Sequence, residues 1–250
     1  MFFNIKYLSS DVDWCESNFT YCDEIAEMWN SLTSMSFAIF GIYGLYKMPI
    51  YNRSVFFFFL NNIFIGITSV LFHSTLSIEG QIMDEFSILF YAVCGIIYLE
   101  KYNEKYKKQT IIALLLVPIA VYIYPIMNRL LLLLVVAPYV LYLSKKNSHY
   151  LGTIDSKILN IILNTRCYFG LSVVCWVIDY LCFLPFGSHF IWHVLIAFVC
   201  YSLTVILQIV AYNRMNMYKN TLHIEYTKLM KIIEIPYLEF DELSDVKSNV

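Results

Sequence analysis

Charge is what this sequence has least of. Only 14% of its 250 residues are Asp, Glu, Lys or Arg, where a soluble domain carries about 25%. A water-facing globular surface cannot be built from so few charges, which argues against a soluble fold. The basic residues gather on no amphipathic face, so there is no nucleic-acid footprint. Seven cysteines contain no CxxC pair, which argues against a zinc ribbon. Met1–Ser10 holds one lysine and no long apolar run before a cleavage site, so no removable signal peptide is expected and the first membrane helix serves as its own insertion signal. Internal repeats and low-complexity tracts are lacking, and nothing marks an obligate protein partner.

What is present is apolar: 59% of the chain is hydrophobic. After an acidic N-terminal segment, 1–30, seven apolar runs follow at about 31–49, 55–75, 80–99, 109–126, 128–144, 159–182 and 188–212. Each is near the ~20 residues a helix needs to cross ~30 Å of hydrocarbon. The fourth and fifth are separated only by Met127-Asn128-Arg129. The expected fold is an all-α integral membrane protein with seven transmembrane helices over 31–212. A polar tail, 213–250, is expected to be mobile, with one short amphipathic piece near Leu229–Ile235. The loops after the first, third and fifth runs, together with the tail, hold fourteen lysines and arginines; the opposite side holds Lys6 and Arg129. Positive charge favours the cytosol, which places the C-terminus there and the N-terminus in the lumen or outside the cell.

That topology brings scattered polar residues to one depth. Ser69 and His73 end the second run, Asp84 begins the third, and His189 and His193 begin the seventh. Ionisable groups in membrane segments are costly and functional by default. His189 and His193, at i and i+4, share a helical face. With His73 they make three neutral imidazoles, a donor set for zinc with an open position for water. Zinc lowers the pKa of such a water to about 7. Asp84 is then the proton acceptor and Ser69 the hydrogen-bond donor to a developing oxyanion. An isolated HxxxH pair is more often an interhelical hydrogen bond; three histidines and an aspartate at one depth favour the metal.

The N-terminal segment is a second constellation, Asp13-Trp14-Cys15-Glu16-Ser17-Asn18 and then Glu27. Its oxygen-bearing residues suit a hard cation such as calcium, although the glycine and twelve-residue loop of an EF-hand are missing. On spacing alone, a solvated acidic arm with a helix cap fits better. Asn18-Phe19-Thr20 is also a glycosylation sequon, and an ion-holding Asn18 would leave it unmodified.

Asp13-Trp14-Cys15-Glu16-x-Asn18, Ile25-Ala26-Glu27-Met28-Trp29-Asn30, Phe72-His73-x-Thr75-Leu76, Gln81-x-x-Asp84-Glu85 and His189-x-x-x-His193 together resemble the alkaline ceramidases. These are seven-span members of a membrane-hydrolase superfamily that also includes adiponectin and progestin receptors and a lipase that remodels GPI anchors. The resemblance covers about 10–212. It implies a zinc-dependent amidase that cleaves ceramide, or a related sphingolipid, to sphingosine and a fatty acid in the endoplasmic reticulum, Golgi or plasma membrane. The active site would face the lumen or the outside. It implies zinc on His73, His189 and His193, catalytic roles for Asp84 and Ser69, and calcium on Asp13, Trp14, Glu16, Asn18 and Glu27, with Trp14 and Asn18 contributing through backbone carbonyls. It also implies a disulfide for which Cys15 and Cys182 are the candidates, with Cys22 on the same side leaving the pairing open. Ser31-Leu32-Thr33-Ser34-Met35 departs from the family pattern, and Asp179 has no assigned role. A phospholipase-type zinc hydrolase and an adiponectin-type receptor are the alternatives. The Asp-Trp-Cys-Glu-x-Asn segment argues for the ceramidases.

Overall fold

A backbone in hydrocarbon can satisfy its polar groups only within itself, so uncharged apolar runs form helices there. The computed structural model describes residues 8–48, 53–100, 134, 136–184, 186–214, 222–229 and 233–240. Six α-helices are described: α1 Met28–Lys47, α2 Arg53–Thr75, α3 Ile78–Glu100, α4 Ala137–Ile154, α5 Ser156–Tyr180 and α6 His189–Arg214. Arg53–Thr75, Ile78–Tyr98, Ser156–Tyr180 and His189–Asn213 are long and apolar enough to cross a membrane. Exposed Phe57, Ile39, Leu163 and Val174 are a lipid-facing surface that a soluble protein would not present. The chain is an integral membrane protein. The expected run at 109–126 lies outside the described residues. The helix α4 continues beyond the expected end at 144, through Lys145 and Lys146.

Helix α6 sits at the centre, against α1, α2 and α5. Close approach of α1 and α2 depends on small residues, as is common where helices meet in lipid. A Cβ on Gly66 would lie 2.8 Å from the Ala38 backbone nitrogen, and one on Gly41 2.8 Å from the Phe59 carbonyl oxygen. The N-terminal segment is fastened across the α2–α3 turn. Ser10 N donates to Leu76 O (2.8 Å), Ile78 N to Leu8 O (2.9 Å) and Asp11 N to the Gln81 side chain (2.8 Å).

The all-helical expectation and the mobile tail both need correction. β1 Leu222–Leu229 and β2 Ile233–Phe240 pair antiparallel, with Ile224 opposite Leu238. Both side chains are fully buried in a cluster with Phe59, Ile158, Tyr201 and Ile209. Tyr43 donates to Thr227 Oγ1 (2.7 Å), Tyr201 to Pro236 O (2.7 Å) and Lys157 to Ile224 O (2.9 Å). Among the described residues the fold is mostly helical with one hairpin. Of the short amphipathic piece expected near Leu229–Ile235, Leu229 ends β1 and Ile233–Ile235 begin β2, while 230–232 lie outside the described residues. Few inward-facing residues per strand carry the hairpin's attachment, so its charges conceal a weak period-2 pattern.

Candidate metal centre and active site

The helices bring the expected polar residues together at the end of the bundle formed by the α2–α3 turn and the start of α6. His73, His189 and His193 are buried, and a ligand atom from each lies within 4.8 Å of the others. Among the described residues, no other group of three or more His, Cys, Asp or Glu meets that condition. The i,i+4 spacing on α6 places the His189 and His193 rings 4.5 Å apart, and their centroids lie 5.2 and 4.7 Å from that of His73.

The tautomers follow from the neighbours. The His73 Nδ1 lies 2.5 Å from Glu27 Oε2. A carboxylate only accepts, so Nδ1–H donates and the Nε2 lone pair is left free. Thr33 Oγ1 spends its proton on Trp29 O (2.7 Å), so His193 Nδ1 donates to Thr33 (3.1 Å) and its Nε2 is left unprotonated, 3.4 Å from Ser34 Oγ. A ligand histidine held by its other nitrogen is the usual support for a metal. His189 is held differently. Its ring stacks between Trp14 (3.7 Å) and Trp192 (4.8 Å), and its backbone N–H donates to Asp179 Oδ1 (3.0 Å).

Four buried atoms here have no hydrogen-bond partner: the indole Nε1 of Trp14 and, as potential metal or water ligands, His73 Nε2, His189 Nδ1 and Asp84 Oδ1. Buried polar atoms are rarely left so. Two imidazole nitrogens and a carboxylate oxygen orphaned at one place fit a metal ion and its water. Ser34 Oγ gives its proton to Asn30 O (2.7 Å) and therefore accepts from Ser69 Oγ (2.9 Å). The Ser69 proton also has the Asp84 carboxylate within reach, so one proton has two acceptors. A cavity of about 210 Å³ opens beside Asp84 and His189, lined mainly by apolar side chains such as Phe72, Ile88, Val140, Phe169 and Trp176.

The N-terminal residues are placed in two groups. Asp13 and Asn18 lie at the exposed edge, where Asn18 Nδ2 donates to both Asp13 oxygens (3.0 and 3.2 Å). Glu16 and Glu27 are buried at 7% and 0% exposure. Glu16 accepts from the backbone N–H of Trp29 (2.6 Å) and Asn30 (2.8 Å), and so caps α1 from a distance in sequence. Glu27 accepts from Trp14 N (3.0 Å) and Asn30 Nδ2 (3.1 Å) besides His73. Burial raises the Glu16 carboxyl above its ordinary pKa, opposed by the two amides and reinforced by the Glu27 charge. Neither carboxylate has a lysine or arginine partner among the described residues. The donor chemistry is oxygen only, and the uncompensated charge suits a hard cation. Cys15 and Cys182 are joined by a disulfide, Cα–Cα 5.4 Å, and Cys22 is free.

Several residues that matter here were not among those expected at the zinc site. Thr33 and Ser34 lie in the stretch that departed from the family pattern, and with Glu27 and Asn30 they make a polar stripe at helical spacing along an apolar helix. That spacing was a usable signal. Asp179 had none. It is fully buried, and its carboxylate accepts from the backbone N–H of Ser188, His189 and, at 3.3 Å, Cys15. Gly187 is needed beside it: φ is +69°, and a Cβ there would clash with the Asp179 carboxylate.

The family model described as Ceramidase matches residues 6–239. Among curated proteins the chain is similar to alkaline ceramidase 1 of Mus musculus, 29% identical, with 94% of this chain and 93% of the relative covered. It is also similar to alkaline ceramidase of Drosophila melanogaster, 27% identical over 79% of this chain and 76% of the relative. Similarity to alkaline ceramidase 1 of Homo sapiens reaches 41% over a shorter stretch, 33% of each chain.

Proposed function

Because the chain belongs to the ceramidase family, we propose that it hydrolyses the N-acyl bond of ceramide, releasing sphingosine and a fatty acid, with zinc held by His73, His189 and His193. The observation that carries this reading is the convergence of His73 Nε2, His189 Nδ1 and Asp84 Oδ1, all buried and unpartnered, beside an apolar cavity lined in part by Asp84 and His189. When bound, zinc supplies Lewis acidity and lowers the pKa of a water to about 7.

The chain's own residues do the rest. Asp84 takes a proton at its free Oδ1 and returns it to the leaving amine. Ser69 turns its single proton from Ser34 or Asp84 toward the carbonyl oxygen as charge grows there. Glu27 and Thr33 keep His73 and His193 in the tautomers that leave Nε2 unprotonated. The apolar cavity holds an alkyl chain and keeps bulk water out.

Calcium would sit on Asp13, Trp14, Glu16, Asn18 and Glu27 and brace the N-terminal segment. The buried, cation-free charge of Glu16 and Glu27 supports it. The lysine and arginine asymmetry supports a seven-span topology with the histidine end facing the lumen or the outside and the hairpin in the cytosol. A membrane of the endoplasmic reticulum, Golgi or cell surface is the corresponding location.

The test is lipid hydrolysis by the purified protein, with ceramide and phospholipid compared, and metal analysis on the same preparations. Ceramide turnover is expected, with His193→Ala reduced to background and depleted of zinc. Turnover of phospholipid in place of ceramide, or ceramide turnover that survives His193→Ala, would overturn the assignment.

A further inference from the structure

The cavity beside the histidines has a second polar feature. Arg166, on α5, lines the same cavity as Asp84 and His189. It lies about 20 Å along the helix from Asp179, which holds the His189 backbone, at a rise of about 1.5 Å per residue, and so well removed from the histidine end. Its Nε donates to Ser144 Oγ on α4 (3.1 Å), while its Nη2 is buried with no hydrogen-bond partner. No carboxylate pairs with it among the described residues. A guanidinium is always charged. A buried charge without a partner is costly, and in a membrane protein it marks a ligand site more often than a packing accident.

We propose that Arg166 and Ser144 form an anion subsite at the far end of the cavity, which takes the carboxylate of a long-chain fatty acid with its alkyl tail directed toward the histidines. Three features fix the ligand class. The cavity between the two polar ends is apolar, which calls for an alkyl chain. The free Nη2 donates in the plane of a guanidinium fork, which matches a carboxylate. Ser144, having accepted from Nε, keeps its own proton to donate to the same anion. A fatty acid bound this way occupies the space an acyl chain of the substrate needs, so it competes with substrate. This consequence rests on the ceramidase reading; the binding itself does not.

The experiment is displacement of a fluorescent fatty acid from the purified full chain by oleate and by methyl oleate, for wild type, Arg166→Gln and Arg166→Lys. Wild type is expected to bind oleate at least tenfold more tightly than methyl oleate. Arg166→Gln is expected to lose that preference while still binding methyl oleate, and Arg166→Lys to keep part of it. Equal affinity of wild type for the two ligands overturns the proposal without reference to any variant, and so does an unchanged oleate preference in Arg166→Gln. Ceramide turnover on the same preparations separates the two readings. If turnover is absent but the oleate preference follows Arg166, the ceramidase reading fails and the anion subsite stands. If turnover is present and oleate inhibits wild type and Arg166→Gln equally, the subsite fails alone.

Discussion

The two ends of the bundle are built from the same helices by opposite means. At the histidine end, the groups packed between α1, α2 and α6 are Glu27, Asn30, Ser34, His73 and His193, each buried to 1% exposure or less. At the hairpin end, the same three helices bury Phe59, Tyr201, Val205 and Ile209 around Ile224 and Leu238 of the strands, with Phe40 and Tyr43 of α1 packed against them. Apolar contact is non-directional and scales with area, so the hairpin end can stay stable while its side chains shift slightly. Hydrogen bonds are directional, and partly satisfied buried networks are expensive. The histidine end therefore gains geometric definition at a cost in stability. That cost is countered by parts distant in sequence, namely the Glu16 cap, the Cys15–Cys182 link and the Asp179 carboxylate.

The largest effect that separates the ends is expected at Asp179. Its carboxylate is the common acceptor for the backbone of Ser188, His189 and Cys15. Asp179→Ala leaves three donors unpaired, at about 1–3 kcal/mol for each buried group, and frees the first turn of α6 that carries His189. We expect loss of several degrees in thermal midpoint, metal content well below wild type and ceramide turnover reduced by about two orders of magnitude or more. Asp179→Asn, which keeps one acceptor oxygen, should recover part of each. If Asp179→Ala unfolds more easily but holds its metal and turns over normally, the residue is a brace for the loop and does not position His189.

This contrast also explains what could be read from the sequence. Hydrocarbon sets helix length and excludes charge, so the described helices α2, α3, α5 and α6 agree with the runs at 55–75, 80–99, 159–182 and 188–212 to within a few residues. The i,i+4 pair on α6 and the polar residues at both sides of the α2–α3 turn gave the histidine cluster directly. The partners that hold it were harder to see, because their work is done through backbone groups. The Asp179 carboxylate binds amides, and amides have no sequence signature. Glu27 was legible as an acid but not as the partner of His73, a contact made across 46 positions. The hairpin was missed for a different reason: the charges along it, such as Glu225, Lys228 and Glu234, suggested a solvated tail, while its attachment depends on Ile224, Ile235 and Leu238.

A medium effect should appear at the other end without reaching the site. Leu238 is fully buried against the helices, and Leu→Ala in such a position costs about 2–5 kcal/mol. Leu238→Ala should lower the unfolding midpoint, while metal content and turnover per folded molecule stay at wild-type values. Loss of metal in Leu238→Ala at temperatures well below its midpoint would mean that the two ends are coupled through α6, and the division between them would have to be abandoned.

The smallest effect concerns pH and is confined to the hairpin. Tyr226 on β1 is partly buried, and its phenol is raised above the ordinary tyrosine value of about 10, first by burial and then by Glu234, Asp155 and Glu225. The folded chain therefore holds this proton more tightly than the unfolded chain does. Below about pH 9 both states carry the proton and the contribution is constant. As pH climbs from there toward the folded-state value, the unfolded chain ionises first and folding loses ground. Tyr226→Phe has no such proton, so the gap in unfolding midpoint between wild type and Tyr226→Phe should shift against wild type between about pH 9 and pH 11. Lysines and other tyrosines titrate in both proteins and cancel in the difference. Parallel pH profiles for the two proteins would show that the phenol is as well solvated in the folded chain as in the unfolded one, and that β1 is held less firmly against the helices than the burial of Ile224 requires.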